Sequence, residues 1–352
     1  MKRIFLGLVG LAVVFGGLFG AGGVQAATTS PLVLETSPLP INLIVDPGKS
    51  VTTDIRVKQA GSETARLKVG LMKFRAYGNE GKPELLDRQP GDDYFDWVKF
   101  DKTLFDAPPN VWQTVHVTIN VPKSAAFGYY FAVVFSREGD DVHHTGNTNS
   151  IAGATAVLML LEARSPNAKR NLQLVSFTAD HRVFEFLPTQ FNVTLANTGN
   201  VHGAPQGDIF IIKGKKQIAI LPINANGGNI LPASKRLLTV QWLDGFPVYK
   251  QVVKDGKVKL DKNNKQVKAL MWDWTQANKF RMGRYTAHLF AVYDDGTHDV
   301  PIEAELSFWV IPWRIILALL LVIALIGFGV YAAVRGTVRG ASRGMKRLSR
   351  RR

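Results

Sequence analysis

The chain of 352 residues contains no cysteine. This absence excludes disulfide bonds, thiolate zinc sites and cysteine nucleophiles. A domain of this chain that lies outside a cell must therefore be stabilised by its hydrophobic core alone.

Several catalytic motifs are also missing. The chain has no Ser-x-x-Lys, His-Glu-x-x-His or phosphate-binding loop. Two polar clusters remain, Asp140-Asp141 with His143-His144, and Asp294-Asp295-Gly296 with His298 and Asp299. Either could be a divalent-cation site or a plain turn between strands, and the turn is favoured because the ligand spacing of a calcium loop is absent. We predict a non-catalytic protein without a cofactor, with an envelope hydrolase as a remote alternative.

Acidic residues are absent from both ends of the chain, and this explains most of its formal charge of +15. Eleven of the 43 basic residues flank apolar segments, which leaves 32 basic against 28 acidic residues elsewhere. A polyanion-binding protein carries its excess of positive charge on its folded domains. The sequence therefore excludes nucleic acid as a partner.

Residues 1–26 are typical of a signal peptide. Lys2 and Arg3 precede an apolar stretch, and small residues lead to a cleavage site between Ala26 and Ala27. An uncleaved N-terminal anchor is the alternative. Both readings place the following residues outside the cell.

Residues 315–334 form an uncharged run of the length that crosses a bilayer as one helix. Trp309, Trp313 and Arg314 lie at its start, where indole rings and a cation suit the lipid interface. Eight basic residues follow it, among them Arg335, Arg339 and Arg343. The positive-inside rule places this end in the cytoplasm. The four-residue spacing of these arginines would also let a helical tail lie on anionic lipid. A simple stop-transfer signal is the preferred interpretation, because orientation alone explains the charge.

Between the ends, alternating apolar residues and frequent turns predict an all-β fold of two immunoglobulin-like β-sandwich domains. The predicted domains are residues 27–166 and 167–311. A membrane helix at 312–334 and a basic tail at 335–352 follow them. The predicted strands of the first domain are 41–45, 51–57, 67–73, 115–121, 129–135 and 154–161. Those of the second are 172–178, 190–196, 208–212, 217–222, 237–243, 283–293 and 303–310. A Lys-rich insertion with an Asp255-Gly256 hairpin signal interrupts the second domain.

Several of these segments resemble one known family. The segments are Pro38-Leu39-Pro40-Ile41 leading to Asp46-Pro47-Gly48-Lys49-Ser50, Val121-Pro122 through Gly128-Tyr129-Tyr130, Asn197 to His202 with Pro205 and Gly207, and Phe308 to Trp313. They are similar to those of the WxL-interacting cell-surface proteins of Gram-positive bacteria, whose layout is also that of this chain. The resemblance implies a role at the cell wall, with cell-wall polymer or a surface protein as partner. It transfers no binding residue, because the matching motifs are turns.

Trp272, Trp274 and Phe280 form an aromatic group near the insertion. They are either exposed contacts for a ligand or core residues of the second sandwich, and a place in the core is favoured. The sequence thus predicts a membrane-anchored protein of the bacterial surface that acts in adhesion or scaffolding. The alternative is a sensor or secretion-accessory subunit that signals through its basic tail.

Overall fold

A computed structural model describes residues 32–140, 154–254 and 256–348, and it describes side chains as far as residue 335. The predicted signal peptide, its cleavage site at Ala26 and Ala27, and the His143-His144 cluster lie outside the described residues. The all-β class with one C-terminal apolar helix is confirmed.

Ten strands of the described ranges surround the first core. They are β1 (Leu34–Ser37), β2 (Ile41–Val45), β3 (Ser50–Gln59), β4 (Ala65–Tyr77), β5 (Lys82–Leu86), β6 (Val98–Phe100), β7 (Leu104–Ala107), β8 (Trp112–Asn120), β9 (Phe127–Arg137) and β10 (Ala154–Ala163). One sheet has the order β1-β3-β8-β6, and the facing sheet has the order β2-β10-β9-β4-β5, with β7 also paired to β4. All pairs are antiparallel except β2 with β10, which run parallel.

In the described part of the second half there are twelve strands. They are β11 (Leu172–Ala179), β12 (Val183–Phe184), β13 (Thr189–Asn197), β14 (Gln206–Lys213), β15 (Lys216–Ile223), β16 (Lys235–Trp242), β17 (Val248–Gln251), β18 (Val253–Lys254), β19 (Lys257–Val258), β20 (Lys268–Met271), β21 (Gly283–Asp294) and β22 (Asp299–Val310). The sheet β11-β13-β16 faces the sheet β12-β22-β21-β14-β15. The remaining four strands form two small hairpins between β16 and β21.

Each sandwich has its own core. Alternate residues of the strands point inward, so that Phe131 and Phe135 of β9 lie in the first core, and Trp242 and Phe308 lie in the second. The predicted boundary at residues 166 and 167 falls between β10 and β11, in the segment that joins the two cores.

The turn between β2 and β3 has the geometry that its residues predict. Pro47 takes the second position, and Gly48 has a φ of +82° in the third, which is the position of a type II turn that favours glycine. The amide of Lys49 donates to the carbonyl of Asp46 at 3.0 Å. This turn sets β2 and β3 into opposite sheets of the sandwich.

The chain leaves the second sandwich directly into helix α1 (Trp313–Leu348). Within it, Trp313–Arg335 is long and apolar enough to cross a membrane, and none of the apolar window is buried. Leu320, Ile323 and Phe328 are each more than half exposed, at 57%, 55% and 70%. Side chains of this type on every face of a helix fit a lipid environment better than water.

Candidate functional site

The loop between β13 and β14 forms the joint between the two sandwiches. Asn197 is 1% exposed, and its side-chain amide donates to the carbonyls of Val201 and Ile230, both at 2.8 Å. Asn200 accepts a bond from the amide of Lys169 at 2.7 Å and donates to the carbonyl of Asn167 at 2.9 Å. The loop is thus held to its own domain by one asparagine and to the connecting segment by the other.

Two polar contacts join the connecting segment and the second domain to the first domain. Arg170 donates through one nitrogen to both oxygens of Glu162 of β10, at 2.8 and 2.6 Å, and both side chains are largely buried. The hydroxyl of Tyr130 in β9 lies 3.4 Å from Nδ1 of His202. Burial, with a smaller contribution from the charge of Arg170, lowers the pKa of His202 to about 4.

A third contact places an arginine between backbone segments of the two domains. The guanidinium of Arg236 in β16 lies so close to Gly81 of the first domain and Gly228 of the second that a Cβ at either glycine would be within 3.0 Å of it. The amide of Leu237 donates to the carbonyl of Asn79 across the same contact. Burial lowers the pKa of Arg236, whose Nη1 donates to the carbonyl of Asn229 at 2.9 Å.

A cleft of about 590 Å³ lies between the two domains beside these contacts. Its floor is the outer face of the first domain's larger sheet, including Phe74, Leu158 and Leu160, and its rim includes Leu39 of the first domain and Ile230 of the second. Cavities of this size at domain interfaces commonly bind ligands. The floor is apolar because β4, β9 and β10 carry apolar side chains on both faces, with Met72, Ala132 and Val134 in a separate cluster on the outer face.

The charge of the cleft is positive. Arg75, Lys82, Lys235 and Arg236 line it, and no aspartate or glutamate of the described ranges does. Two of these cations, Arg75 and Lys82, pair with glutamates that lie outside the lining. The cleft therefore suits a ligand that combines apolar groups with a negative charge.

The predicted aromatic residues lie together at the other end of the second domain, outside its core. Trp272 and Trp274 are stacked with ring centroids 5.7 Å apart, and both contact the ring of Phe246, at 5.7 and 5.2 Å. Phe280 joins Phe246 through a backbone bridge. Trp272, Trp274 and Phe280 are 46%, 71% and 41% exposed, whereas Phe246 is 7% exposed. Their contact with a ligand stays a prediction.

The predicted lipid-interface residues lie at the two ends of the apolar part of α1. Trp309 is 46% exposed and Trp313 53% exposed at its start, and the guanidinium of Arg314 lies 5.2 Å from the ring of Trp313. Near the other end, Nη1 of Arg335 donates to the hydroxyl of Tyr331 at 3.3 Å. Arg339 and Arg343 belong to the same helix, but their side chains lie outside the described part of the chain.

The polar cluster near residue 295 forms a turn in the structure. The carboxylate of Asp295 accepts bonds from the amides of Thr297 and His298, at 2.8 and 2.9 Å. These bonds, and one from the hydroxyl of Thr297, lower the pKa of Asp295 to about 2. Over the residues that the structure describes, no group of three or more histidine, aspartate or glutamate side chains is arranged to hold a metal ion.

No family model matches the chain, and no curated protein matches it. Similar solved structures include the class 5 fimbriae chaperone CfaA, with 14% identity, a TM-score of 0.34, and coverage of 80% of this chain and 100% of that chain. Another is the CsuC-CsuE chaperone-tip adhesion subunit complex of Acinetobacter baumannii, with 10% identity, a TM-score of 0.33, and coverage of 77% and 97%. A PapD-like domain of human CEP192 has 9% identity, a TM-score of 0.25, and coverage of 42% and 98%. At these identities and TM-scores the likeness assigns neither a ligand nor a function.

Proposed function

We propose that the chain is a non-catalytic, membrane-anchored protein of the bacterial surface that holds a segment of a partner surface protein in the cleft between its two domains. The observation that carries this proposal is the composition of the cleft, with an apolar floor and a positive, carboxylate-free rim. Helix α1 supplies the anchor, with the two sandwiches outside and the basic tail in the cytoplasm.

The chemistry of the floor favours a protein segment over cell-wall polymer. Leu158, Leu160 and Leu39 are aliphatic. Among the described residues of the lining, the one aromatic ring is that of Phe74, whose side chain is 5% exposed. Sugar rings bind mainly by stacking on exposed aromatic faces, whereas aliphatic side chains of a partner gain free energy when they leave water for an apolar floor. The role agrees with the resemblance to the WxL-interacting family, which is part of the proposal.

Photocrosslinking in living cells tests this role. A photoreactive amino acid at position 39, whose leucine is 57% exposed on the rim, should crosslink to a surface protein of the same cell. The matched control is position 111, whose valine is 47% exposed on the first domain and does not line the cleft. Crosslinking to glycan alone, or equal crosslinking at both positions, would contradict a protein ligand in the cleft.

A second variant measures the same binding with the captured partner. Leu39→Asp should abolish most of the binding, because it buries a charge against the apolar floor, whereas Val111→Asp should leave it unchanged.

Sedimentation of the full chain with purified cell walls, from which proteins have been removed, tests cell-wall polymer as the ligand. Binding that is lost in Leu39→Asp in this assay would replace the partner protein by the polymer.

The sensor role is a second candidate, favoured by the length of α1. The helix runs without a break from Trp313 to Leu348, well beyond the apolar part that ends at Arg335. A continuous helix can transmit a movement from the outer domains to the cytoplasmic end. Replacement of residues 339–352 by an unrelated basic segment should preserve function if the tail only sets orientation, and should abolish it if the tail signals.

A further inference from the structure

The segment between β16 and β21, residues 243–282, is an excursion from the second sandwich. It begins after Trp242, which pairs with Thr189, and it ends before Gly283, which pairs with Val310. Val310 is the last residue of β22, and α1 begins at Trp313. The excursion therefore leaves the sandwich at the end from which the apolar helix starts.

One carboxylate links the excursion to the helix. The hydroxyl of Tyr249, in strand β17 of the excursion, donates to Oε2 of Glu185 at 3.4 Å. Nη1 of Arg314, in the first turn of α1, lies 3.5 Å from the same oxygen. The side chain of Glu185 is only 14% exposed. The start of α1 and the excursion thus meet at a single partly buried residue.

The excursion carries exposed apolar side chains on a fixed base. Phe246 is buried and supports the stacked rings of Trp272 and Trp274. Asp244 also forms ion pairs with Lys279 and Arg281, and these pairs join the beginning of the excursion to its end. Further exposed apolar side chains at this end of the domain include Leu243, Met271, Phe280, Met282, Trp309 and Ile311. An apolar surface of this kind is seldom left in water.

The hairpins of the excursion carry a positive charge. Residues 248–271 contain seven lysines and two aspartates. All seven lysine side chains are exposed: Lys250, Lys254, Lys257, Lys259, Lys262, Lys265 and Lys268. The excursion therefore combines exposed indole rings with lysines, and this combination suits the surface of an anionic bilayer.

We propose that the excursion lies on the outer surface of the membrane, with Trp272 and Trp274 at the boundary between lipid and water and the lysines over anionic headgroups. This inference rests on the proposed anchoring by α1. It adds a second attachment beside the helix, so that the second domain is fixed to the bilayer at two places. The occupant of the aromatic surface is then lipid and neither a sugar nor a partner protein.

Fluorescent labels at single cysteines test the inference, since the natural chain has no cysteine that would react. The full chain is placed in nanodiscs rich in phosphatidylglycerol that contain nitroxide-labelled lipid. Labels are attached to Trp274→Cys, to Met271→Cys as a second position in the excursion, and to Leu321→Cys in the helix. The matched control is Ile220→Cys, because Ile220 is 51% exposed on β15 of the same domain. Circular dichroism of each variant verifies its fold.

We expect the labels at 271, 274 and 321 to lose most of their fluorescence to the nitroxide and the label at 220 to keep it. Quenching at 321 without quenching at 271 and 274 would overturn the inference and leave the anchor intact. Absence of quenching at 321 would overturn the anchor and the inference with it. Replacement of Lys257, Lys259 and Lys262 by glutamine should reduce quenching at 274 but not at 321. Unchanged quenching at 274 would overturn the contact of the lysines with headgroups.

Discussion

The hydroxyl of Tyr130, in the first domain, lies 3.4 Å from Nδ1 of His202, in the second domain, where His202 is 9% exposed. Arg170 lies close enough to repel a proton on this ring and is itself bound to Glu162 of the first domain. The joint between the domains therefore holds the neutral pair of Tyr130 and His202 beside the ion pair of Arg170 and Glu162. The first three predictions concern this joint.

The stability of the chain should depend on pH through His202. Its pKa is about 4 in the folded chain and about 6.5 in an unfolded chain, so the unfolded state binds more protons between these values. The free energy of unfolding should be unaffected above about pH 6.5 and should fall by up to about 3 kcal/mol as the pH falls towards 4. Chemical unfolding followed by tryptophan fluorescence measures it. Because carboxylates titrate in the same pH range, the free energy of unfolding must be compared between the natural chain and His202→Gln at each pH. The same pH dependence in both proteins would refute the prediction.

Removal of one partner of the Glu162–Arg170 pair should be costly. The side chains of Arg170 and Glu162 are only 16% and 4% exposed, so Arg170→Met would leave a carboxylate in a nearly buried place. We expect a loss of about 3–5 kcal/mol in the free energy of unfolding. The double variant Glu162→Gln with Arg170→Met should recover much of it, because no unpaired charge remains. A double variant as unstable as the single one would show that packing, and not charge, explains the loss.

Gly199→Ala should destabilise the joint by steric overlap. A Cβ at this position would lie 2.1 Å from the carbonyl oxygen of Lys169 and 2.9 Å from the amide of Asn171, both of which are backbone atoms. Overlap of this kind costs about 1–3 kcal/mol. Gly70→Ala in β4 is the control, because a Cβ there meets nothing within 4 Å. Equal stability of the two variants in thermal unfolding would mean that the connecting segment can move aside freely.

The orientation of the chain can be tested by labelling from outside intact cells. A membrane-impermeant maleimide should react with Thr297→Cys, in the turn between β21 and β22, and fail to react with Ser342→Cys, beyond the apolar part of α1. The excess of arginine beyond the apolar part of α1 is the physical reason. Reaction of both positions only after permeabilisation would place the whole protein inside and contradict a surface role.

Much of the strand pattern could be predicted from local signals. Strand β2 has the predicted bounds 41–45, and the other predicted strands differ from the observed ones mainly by a few residues at their ends. Five short strands of the two sandwiches, β1, β5, β6, β7 and β12, were not predicted. Four of them have only two to four residues, too few to show alternation, and the fifth, β5, contains Pro83, which is unusual inside a strand. Their place is decided by pairing with distant strands, such as β7 with β4.

The candidate sites could be predicted only in part. The aromatic group was visible in the sequence, but Phe246, which supports the two tryptophans, lies 26 residues before Trp272 and shows no local link to it.

The cleft between the domains was not predicted from the sequence, although one signal pointed to it. Residues 156–161 of β10 are all apolar, and an unbroken apolar run is typical of a strand that is covered on both faces. What covers the outer face depends on contacts such as that between Arg236 and Gly81, which a single sequence does not reveal.

The antiparallel pair β21 and β22 determines how far from the bilayer a captured segment would be held. At about 3.3 Å per residue, the twelve residues of β22 extend about 40 Å from the start of α1 to the turn at Asp299. Close to this turn, the side chain of Arg170 approaches Gly296, at the joint with the first domain. In the proposed membrane arrangement, the second sandwich therefore acts as a spacer. It would position the cleft about one domain length above the lipid, at a height where molecules embedded in the wall are within reach and lipid headgroups are not.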